Sequence, residues 1–367
     1  MQVRLDELTR QVLVPATETE PRNMGADLVE LADGRLLLGY SRWLGGAHDY
    51  DNSQICGMVS HDEGATWGPS FDIAVPGPRA EAVRMPCFVR LAEGELACFG
   101  RYRASVSDTW IGQIICRDEA RLGNAAGEGD PGCGPALWTE PVRVTPPPPG
   151  RHILLNNRAV RLRTGAAAGR ILLPVSSPWP WDEEDARGSD IRSWVLRSDD
   201  EGRTWEASDS MLSGPQRGLM EPYIAELSDG RLRLWMRTQM DCQYESVSTD
   251  GGVTWSAAAP GPLESPESPV AVARHEASGL LMVVWNHNRV GRHTADRTPL
   301  CVAFSADEGA SWFAEKALDP APGESSEGRS FSYPGAHFRG DRGFVTYYES
   351  VEGCISLVLC HFELHVA

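Results

Sequence analysis

The sequence predicts an all-β fold built from six similar four-stranded units, and three observations carry that reading. A turn phrase of the form Ser-x-Asp-x-Gly-x-Thr/Ser-Trp occurs four times, at residues 60–67, 198–205, 248–255 and 305–312. A hairpin phrase, in which apolar alternation is followed by a glycine turn and a second apolar run, occurs six times. The 367 residues include 37 glycines and 26 prolines, which suits many short strands joined by turns. A phrase that returns at long intervals marks a repeat architecture.

The turn phrase explains its own spelling. Aspartate at the third position accepts hydrogen bonds from the backbone of its own turn, and the glycine two residues later tolerates positive φ. The serine or threonine adds a weaker local bond. The tryptophan is large enough to pin the turn against a sheet, and its N–H needs a partner. These aspartates therefore read as turn formers and not as catalysts.

In chain order, residues 1–14 alternate moderately and are expected to supply an outermost strand. The hairpin phrases follow at residues 27–40, 87–100, 158–174 and 223–235, with looser copies at 270–285 and 337–348. A variable loop then leads to a third strand, at residues 54–59, 110–116, 191–196, 244–247 and 300–304. The Asp box is the turn into the fourth. In the second unit the box is interrupted: Cys116-Arg117-Asp118 begins one, and a glycine-rich insertion at 123–134 precedes Trp138. The sixth unit has no box, and residues 354–366 read as its third strand. Both chain ends then meet in one unit, closing a ring and removing open sheet edges. The prolines at 146–149 read as a stiff connector, and no segment reads as a second domain, so residues 1–367 are expected to form one.

Bulk composition excludes several classes. Hydrophobic content of 41% and charged content of 23% are those of an ordinary folded chain. A net charge of −17 argues against nucleic acid or an anionic membrane surface as partner. Any anionic substrate then requires a local cluster of arginines, because salt screens the wider field within about 8–10 Å. Nine scattered cysteines without a CxxC pair read as reduced, buried thiols, which suits a cytoplasmic protein. The first residues lack the apolar core of a signal peptide, and no apolar run approaches membrane-spanning length.

Strand order identifies the face that carries chemistry. In an up-and-down four-stranded unit, the first hairpin turn and the Asp-box turn share one face. The starts of first strands and the loops joining second to third strands share the other. Polar residues concentrate there: Arg22, Arg84, Asn156, Asn157, Arg158, Glu221, residues 265–268 and Tyr333 at strand starts. The loops add Arg42, His48, Asp49, Asp51, Arg101, Arg103, Trp179, Trp181, residues 237–244 with Gln243 and Tyr244, and residues 286–297 beginning with Asn286. His337 joins this set, and the expected site is a funnel with several arginines and a few carboxylates.

Four such boxes resemble the Asp-box (BNR) repeats of the sialidase, or neuraminidase, superfamily, and the chain is most similar to its bacterial sialidase-like group. That resemblance implies a six-bladed β-propeller of four-stranded antiparallel blades. It also implies roles. Blade four, GLMEPYIAELSDGRLRLWMRT, resembles the segment in which a glutamate activates a tyrosine and an arginine binds substrate, so Glu221 and Arg237 take those places. Arg297, before the fifth third strand, resembles another arginine of the substrate-binding triad, with Arg289 and Arg292 as competitors. Arg22 stands where the first triad arginine is expected, although the usual Arg-Ile-Pro reads Arg22-Asn23-Met24 here. Asp49 takes the place of the general acid, with Asp51 as competitor, and Tyr333 that of the nucleophile. Tyr347 and Tyr348 read as packing residues.

The implied activity is exo-acting hydrolysis of a terminal sialic acid or related nonulosonic acid, with retention of configuration. Sialidases with a tyrosine nucleophile depart from the two-carboxylate glycosidase scheme. The scheme calls for no metal or organic cofactor, and the expected partner is a small anionic carbohydrate. Two other readings stay open: a propeller hydrolase or lyase acting on a uronate-containing glycan, with His337 or His48 beside Tyr333, and a non-catalytic glycan-binding propeller. The pairing of Glu221 with Arg237 argues against the last.

Overall fold

The structure, a computed structural model, describes residues 2–105, 107–124, 134–144, 150–179, 190–288, 297–321 and 323–367. Trp181, Arg289, Arg292, the prolines at 146–149 and most of the insertion at 123–134 lie outside the described residues.

Six four-stranded antiparallel sheets form the blades of a β-propeller. Strand β1 (Val3–Val14) precedes blade one, which comprises β2 (Asn23–Glu30), β3 (Leu36–Trp43), β4 (Ser53–Ser60) and β5 (Phe71–Ala74). Blade two is β6 (Ala82–Arg90), β7 (Leu96–Arg103), β8 (Thr109–Ile115) and β9 (Val142–Arg143). Blade three is β10 (Val160–Arg161), β11 (Ile171–Trp179), β12 (Asp190–Ser198) and β13 (Glu206–Ala207). Blade four is β14 (Met220–Glu226), β15 (Leu232–Arg237), β16 (Cys242–Ser248) and β17 (Ala259–Glu264). Blade five is β18 (Ala271–Arg274), β19 (Leu281–Asn286), β20 (Leu300–Ser305) and β21 (Phe313–Asp319). Blade six is β22 (Arg329–Arg339), β23 (Arg342–Val351) and β24 (Cys354–Val366), and its outermost strand is β1, antiparallel to β24.

The core lies between blades. Leu31 and Ile55 of blade one pack with Val83 and Phe88 of blade two, and Leu172 of blade three with Ile224 and Leu234 of blade four. Leu28 and Leu36 close the ring against Phe344 and Leu359 of blade six.

All four Asp boxes repeat one hydrogen-bond set. The serine hydroxyl donates to the aspartate at 2.8 Å and accepts from the glycine amide at 2.8–2.9 Å. The aspartate also accepts from the amide and the hydroxyl of the residue four positions on, at 2.5–2.9 Å. The hydroxyls of Thr66 and Ser311 lead in pulling Asp62 and Asp307 down to about 2. Left-handed backbone is not confined to the glycine: the residue before it is also at positive φ, 60–62° at Glu63, Glu201 and Glu308. The tryptophan N–H finds a partner only in Trp205, at Gly202 O, among the four boxes. Asp250→Ala removes bonds made at once to Ser248, Val253 and Thr254. It is expected to lower the melting temperature by about 2–4 °C, measured by calorimetry.

A second repeat, unread in the sequence, positions the site. The first strand of a blade breaks register against the second between Met24 and Asp27, Arg84 and Cys87, Met220 and Tyr223, and Ser332 and Gly335. At each break one residue lies at positive φ: Gly25 (63°), Met85 (62°), Glu221 (48°) and Tyr333 (54°). Such bulges bend the strand and re-aim a side chain. Non-glycine residues held there cost of order 1–3 kcal/mol each.

Candidate active site

The bulges deliver Met85, Glu221 and Tyr333 into one cavity of about 450 Å³, lined by all six blades. Eight arginines face it (Arg22, Arg84, Arg101, Arg103, Arg151, Arg217, Arg237 and Arg297), against two carboxylates, Asp49 and Glu221. An acidic chain has thus concentrated positive charge in one funnel.

Glu221 is the hub. Its Oε1 accepts from the Tyr333 hydroxyl at 2.9 Å and its Oε2 from Arg237 at 2.7 Å. Burial pushes the Glu221 carboxyl up, but Arg237 and Arg297 outweigh it and hold the group below the usual range. Burial and then the Glu221 charge push the Tyr333 phenol up to about 12, against Arg237 and Arg297. An ionised acceptor thus faces a protonated phenol, the arrangement in which a base takes a proton as the phenol attacks.

The surrounding groups are held in place. Buried Glu267 accepts from Arg217 at 2.8 Å and lies 3.1 Å from Arg237. Arg297 donates to the Tyr348 hydroxyl and to Glu267 O, both at 2.9 Å, and lies 5.4 Å from the Tyr333 ring centre. Arg22 donates to Asp49 Oδ1 at 2.8 Å and stacks 4.5 Å from the Trp43 ring. Asp49 stands at the mouth with its side chain 64% exposed. Partial burial raises its pKa, yet Arg22 and Arg101 prevail and keep it below the ordinary carboxylate range.

The BNR repeat-like domain family matches residues 59–345, well over half of the chain. The chain belongs to that family, within the sialidase-like superfamily. Among curated relatives it is 34% identical over 98 residues to an anhydrosialidase of Macrobdella decora, covering 26% of this chain and 11% of that protein. It is 29% identical over 308 residues to a sialidase of Micromonospora viridifaciens, covering 78% of this chain and 45% of that one. The chain thus spans less than half the length of either relative. Among solved structures, a Dyadobacter fermentans protein of unknown function superposes with TM-score 0.69 at 18% identity over 99% of both chains. Trypanosoma rangeli sialidase in complex with the inhibitor DANA gives 0.72 at 14% identity, over 98% of this chain and 60% of that one. At such identities these structures show the shared fold.

Within this BNR propeller the structure brings together Asp49, Glu221, Tyr333, Arg22, Arg237, Arg297 and Arg103 of the expected residues. Arg103 serves the rim, donating to Glu81 at 2.7 Å and to Tyr50 O. Eight others stand outside the cavity lining. Arg42 turns outward to Tyr40 and Ser70. His48 lends its carbonyl to the Trp43 indole. Asn157 ties Asp27, Tyr223 and the Ala336 amide together across blades. Arg158 is buried 4.4 Å from the Tyr223 ring centre. Gln243 donates to Ser265 and Ser268 O, and Asn286 to Phe331 O. Tyr244 packs into the core between blades three and four. His337 sits against Phe344, pushed down to about 4 by burial and by Arg339. The strands run further toward the funnel than the apolar pattern suggests, so alternate residues at their ends point between blades.

Five lining or supporting groups were given no functional role from the sequence, although Arg101 and residues 265–268 were placed on the funnel face. Tyr348, taken for packing, stacks 5.7 Å from Tyr333 and holds Arg297. Arg101 and Tyr348 occupy the same cross-strand place in blades two and six as Arg237 does in blade four. That register was the available signal. Arg151, Arg217 and Glu267 lie in irregular segments with no such marker.

Proposed function

We propose that the chain is an exo-acting glycoside hydrolase of the sialidase type, releasing a terminal sialic acid or related nonulosonic acid with retained configuration. The observation that carries this reading is the 2.9 Å bond from Tyr333 to an ionised Glu221, inside a cavity walled by Arg237 and Arg297. The likeness to sialidases in sequence and fold supports it at family level.

Arg237 and Arg297, with Arg22, bind the carboxylate on the anomeric carbon by charge-assisted bonds. That anion repels a carboxylate nucleophile, whereas a neutral phenol approaches without penalty. Tyr333 Oη attacks the anomeric carbon as Glu221 takes its proton, and the departing oxygen takes a proton from Asp49. Water then attacks the same carbon, Asp49 accepts its proton, and the tyrosyl bond breaks as Glu221 returns the proton to Oη. Asp49 is paired with Arg22. A substrate carboxylate that draws Arg22 away removes that bond and raises the Asp49 pKa, readying it as an acid.

The elimination reading on uronates assigned base chemistry to His337 or His48, and neither lines the cavity. The eight cysteines among the described residues are unbridged, which accords with a cytoplasmic setting.

The test is hydrolysis of a fluorogenic α-sialoside. Its pH profile has a fixed sign. Asp49 must be protonated to act, and its pKa in the free protein lies below the ordinary range, so kcat/KM is expected to fall as pH rises from 5 to 8. The decline approaches tenfold per pH unit where a single group is limiting. A kcat/KM that climbs across that range removes Asp49 from the acid role.

A further inference from the structure

We propose that the funnel holds a second anion subsite, formed by Arg84, Arg101 and Arg151 of blades two and three, and that the natural ligand carries a sulfate or phosphate ester in addition to its carboxylate. The inference deepens the hydrolase reading and rests on it for the identity of the first anion.

Three guanidinium groups suffice for one carboxylate, so the remaining arginines need an account. Two of the remaining five have a protein counter-charge: Arg103 pairs with Glu81 and Arg217 with Glu267. Among the described residues the three on blades two and three do not. Arg84, only 1% exposed, donates to main-chain carbonyls, Asp49 O at 2.8 Å and Asp51 O at 3.5 Å, and its Nε has no partner among the described residues. Among the described residues Arg151 reaches only the Tyr50 hydroxyl, at 3.4 Å, and the face of its ring. The Arg101 guanidinium makes no hydrogen bond or ion pair among the described residues, although its backbone pairs with both neighbouring strands. Asp49 acts on both Arg84 and Arg101 and Glu221 acts on Arg101, but Arg22 already holds Asp49 and Arg237 already holds Glu221.

Comparison of blades two and four sharpens the point. Arg101 faces Arg84 across β6 and β7 in the register that sets Arg237 opposite Met220. Beside Arg237 the bulge supplies Glu221, whereas beside Arg101 the bulge supplies Met85, which carries no charge. The same scaffold thus presents an arginine bonded to a carboxylate in blade four and, among the described residues, one without a bonded carboxylate in blade two. Both groups have burial and like charge acting against them. Burial and then Arg101 and Arg22 push Arg84 down to about 8, and burial and then Arg151 push Arg101 down to about 10. Guanidinium does not give up its proton in proteins, so the stress is relieved by an incoming anion. A tetrahedral oxyanion, with several acceptors on one centre, matches converging forks better than a neutral hydroxyl does.

Inorganic sulfate and inorganic phosphate, titrated calorimetrically into the full chain, test this. Arg101→Met is expected to weaken the tighter of the two roughly tenfold or more. Arg101→Lys should recover most of that loss, and Arg297→Met should weaken it less than threefold. Melting curves establish that each variant folds, and Arg101→Gln, which also removes the charge and is expected to show the same loss, carries the test if Arg101→Met does not fold. Sulfate and phosphate that bind as well to Arg101→Met as to wild type, or that depend equally on Arg297, overturn the second subsite. The tighter anion names the ester. Sialoside hydrolysis run in parallel separates the two claims. An inactive wild type that binds sulfate through Arg101 sinks the hydrolase and keeps the subsite, and an active one with no such binding does the reverse.

Discussion

Tyr333→Phe is expected to cut sialoside turnover on the order of 10³-fold or more, while ligand affinity changes only a few-fold. The substitution deletes one hydroxyl and leaves the ring that packs beneath Arg297 and against Tyr348. Glu221 keeps its bond to Arg237, so the cavity retains its shape and most of its charge. Only the nucleophilic oxygen and its 2.9 Å contact with Glu221 are lost. A loss confined to kcat, with binding of a 2,3-didehydro sialic acid measured by calorimetry, is the signature of a group that acts in the transition state. A variant that turns over like wild type places the nucleophile elsewhere.

Removal of residues 1–14 is expected to lower the melting temperature by roughly 10–20 °C or to yield insoluble protein. Strand β1 is the only described strand paired to the outer edge of β24. Without it a 13-residue strand stands open, a template for edge-to-edge aggregation. Val3, Leu5 and Leu8 leave the cluster formed with blades four to six. Arg10 is also lost, and with it contacts of 2.5 Å to the fully buried Asp319 and 2.7 Å to Glu349. Breaking one partner of a buried pair costs about 3–5 kcal/mol. Arg329 and the Tyr347 hydroxyl remain on Asp319 and soften the effect. Thermal melts with light scattering check both outcomes, and an unchanged melt would deny β1 its role in closing the ring.

What could be read from the sequence follows the range of the interactions. The Asp boxes are local, with the serine and aspartate side-chain bonds closing within four residues, so four copies announce themselves. The hairpins are nearly as local. Closure through β1 was legible because alternation at both ends of the chain leaves no other partner. The bulges were harder, since positive φ at Met85, Glu221 and Tyr333 is set by how a whole strand pairs, although Pro86, Pro222 and Pro334 follow each one. Glu221 and Tyr333 were found through family resemblance. Arg84 and Arg101 were seen and then passed over for Arg103 because the choice depends on cross-strand register. Asn286, Gln243 and Asn157 misled for the converse reason: polar residues at strand ends read as funnel groups, whereas here they hydrogen-bond one blade to the next.

The central claim is that Tyr333 forms a covalent bond to the sugar, and trapping tests it most directly. The full chain would be incubated with a 2,3-difluorosialic acid, quenched, and analysed by intact mass and peptide mapping. The expected result is one glycosyl adduct on the peptide containing Tyr333 in wild type and none in Tyr333→Phe. An adduct on another residue, or brisk sialoside turnover by the phenylalanine variant, would contradict the account.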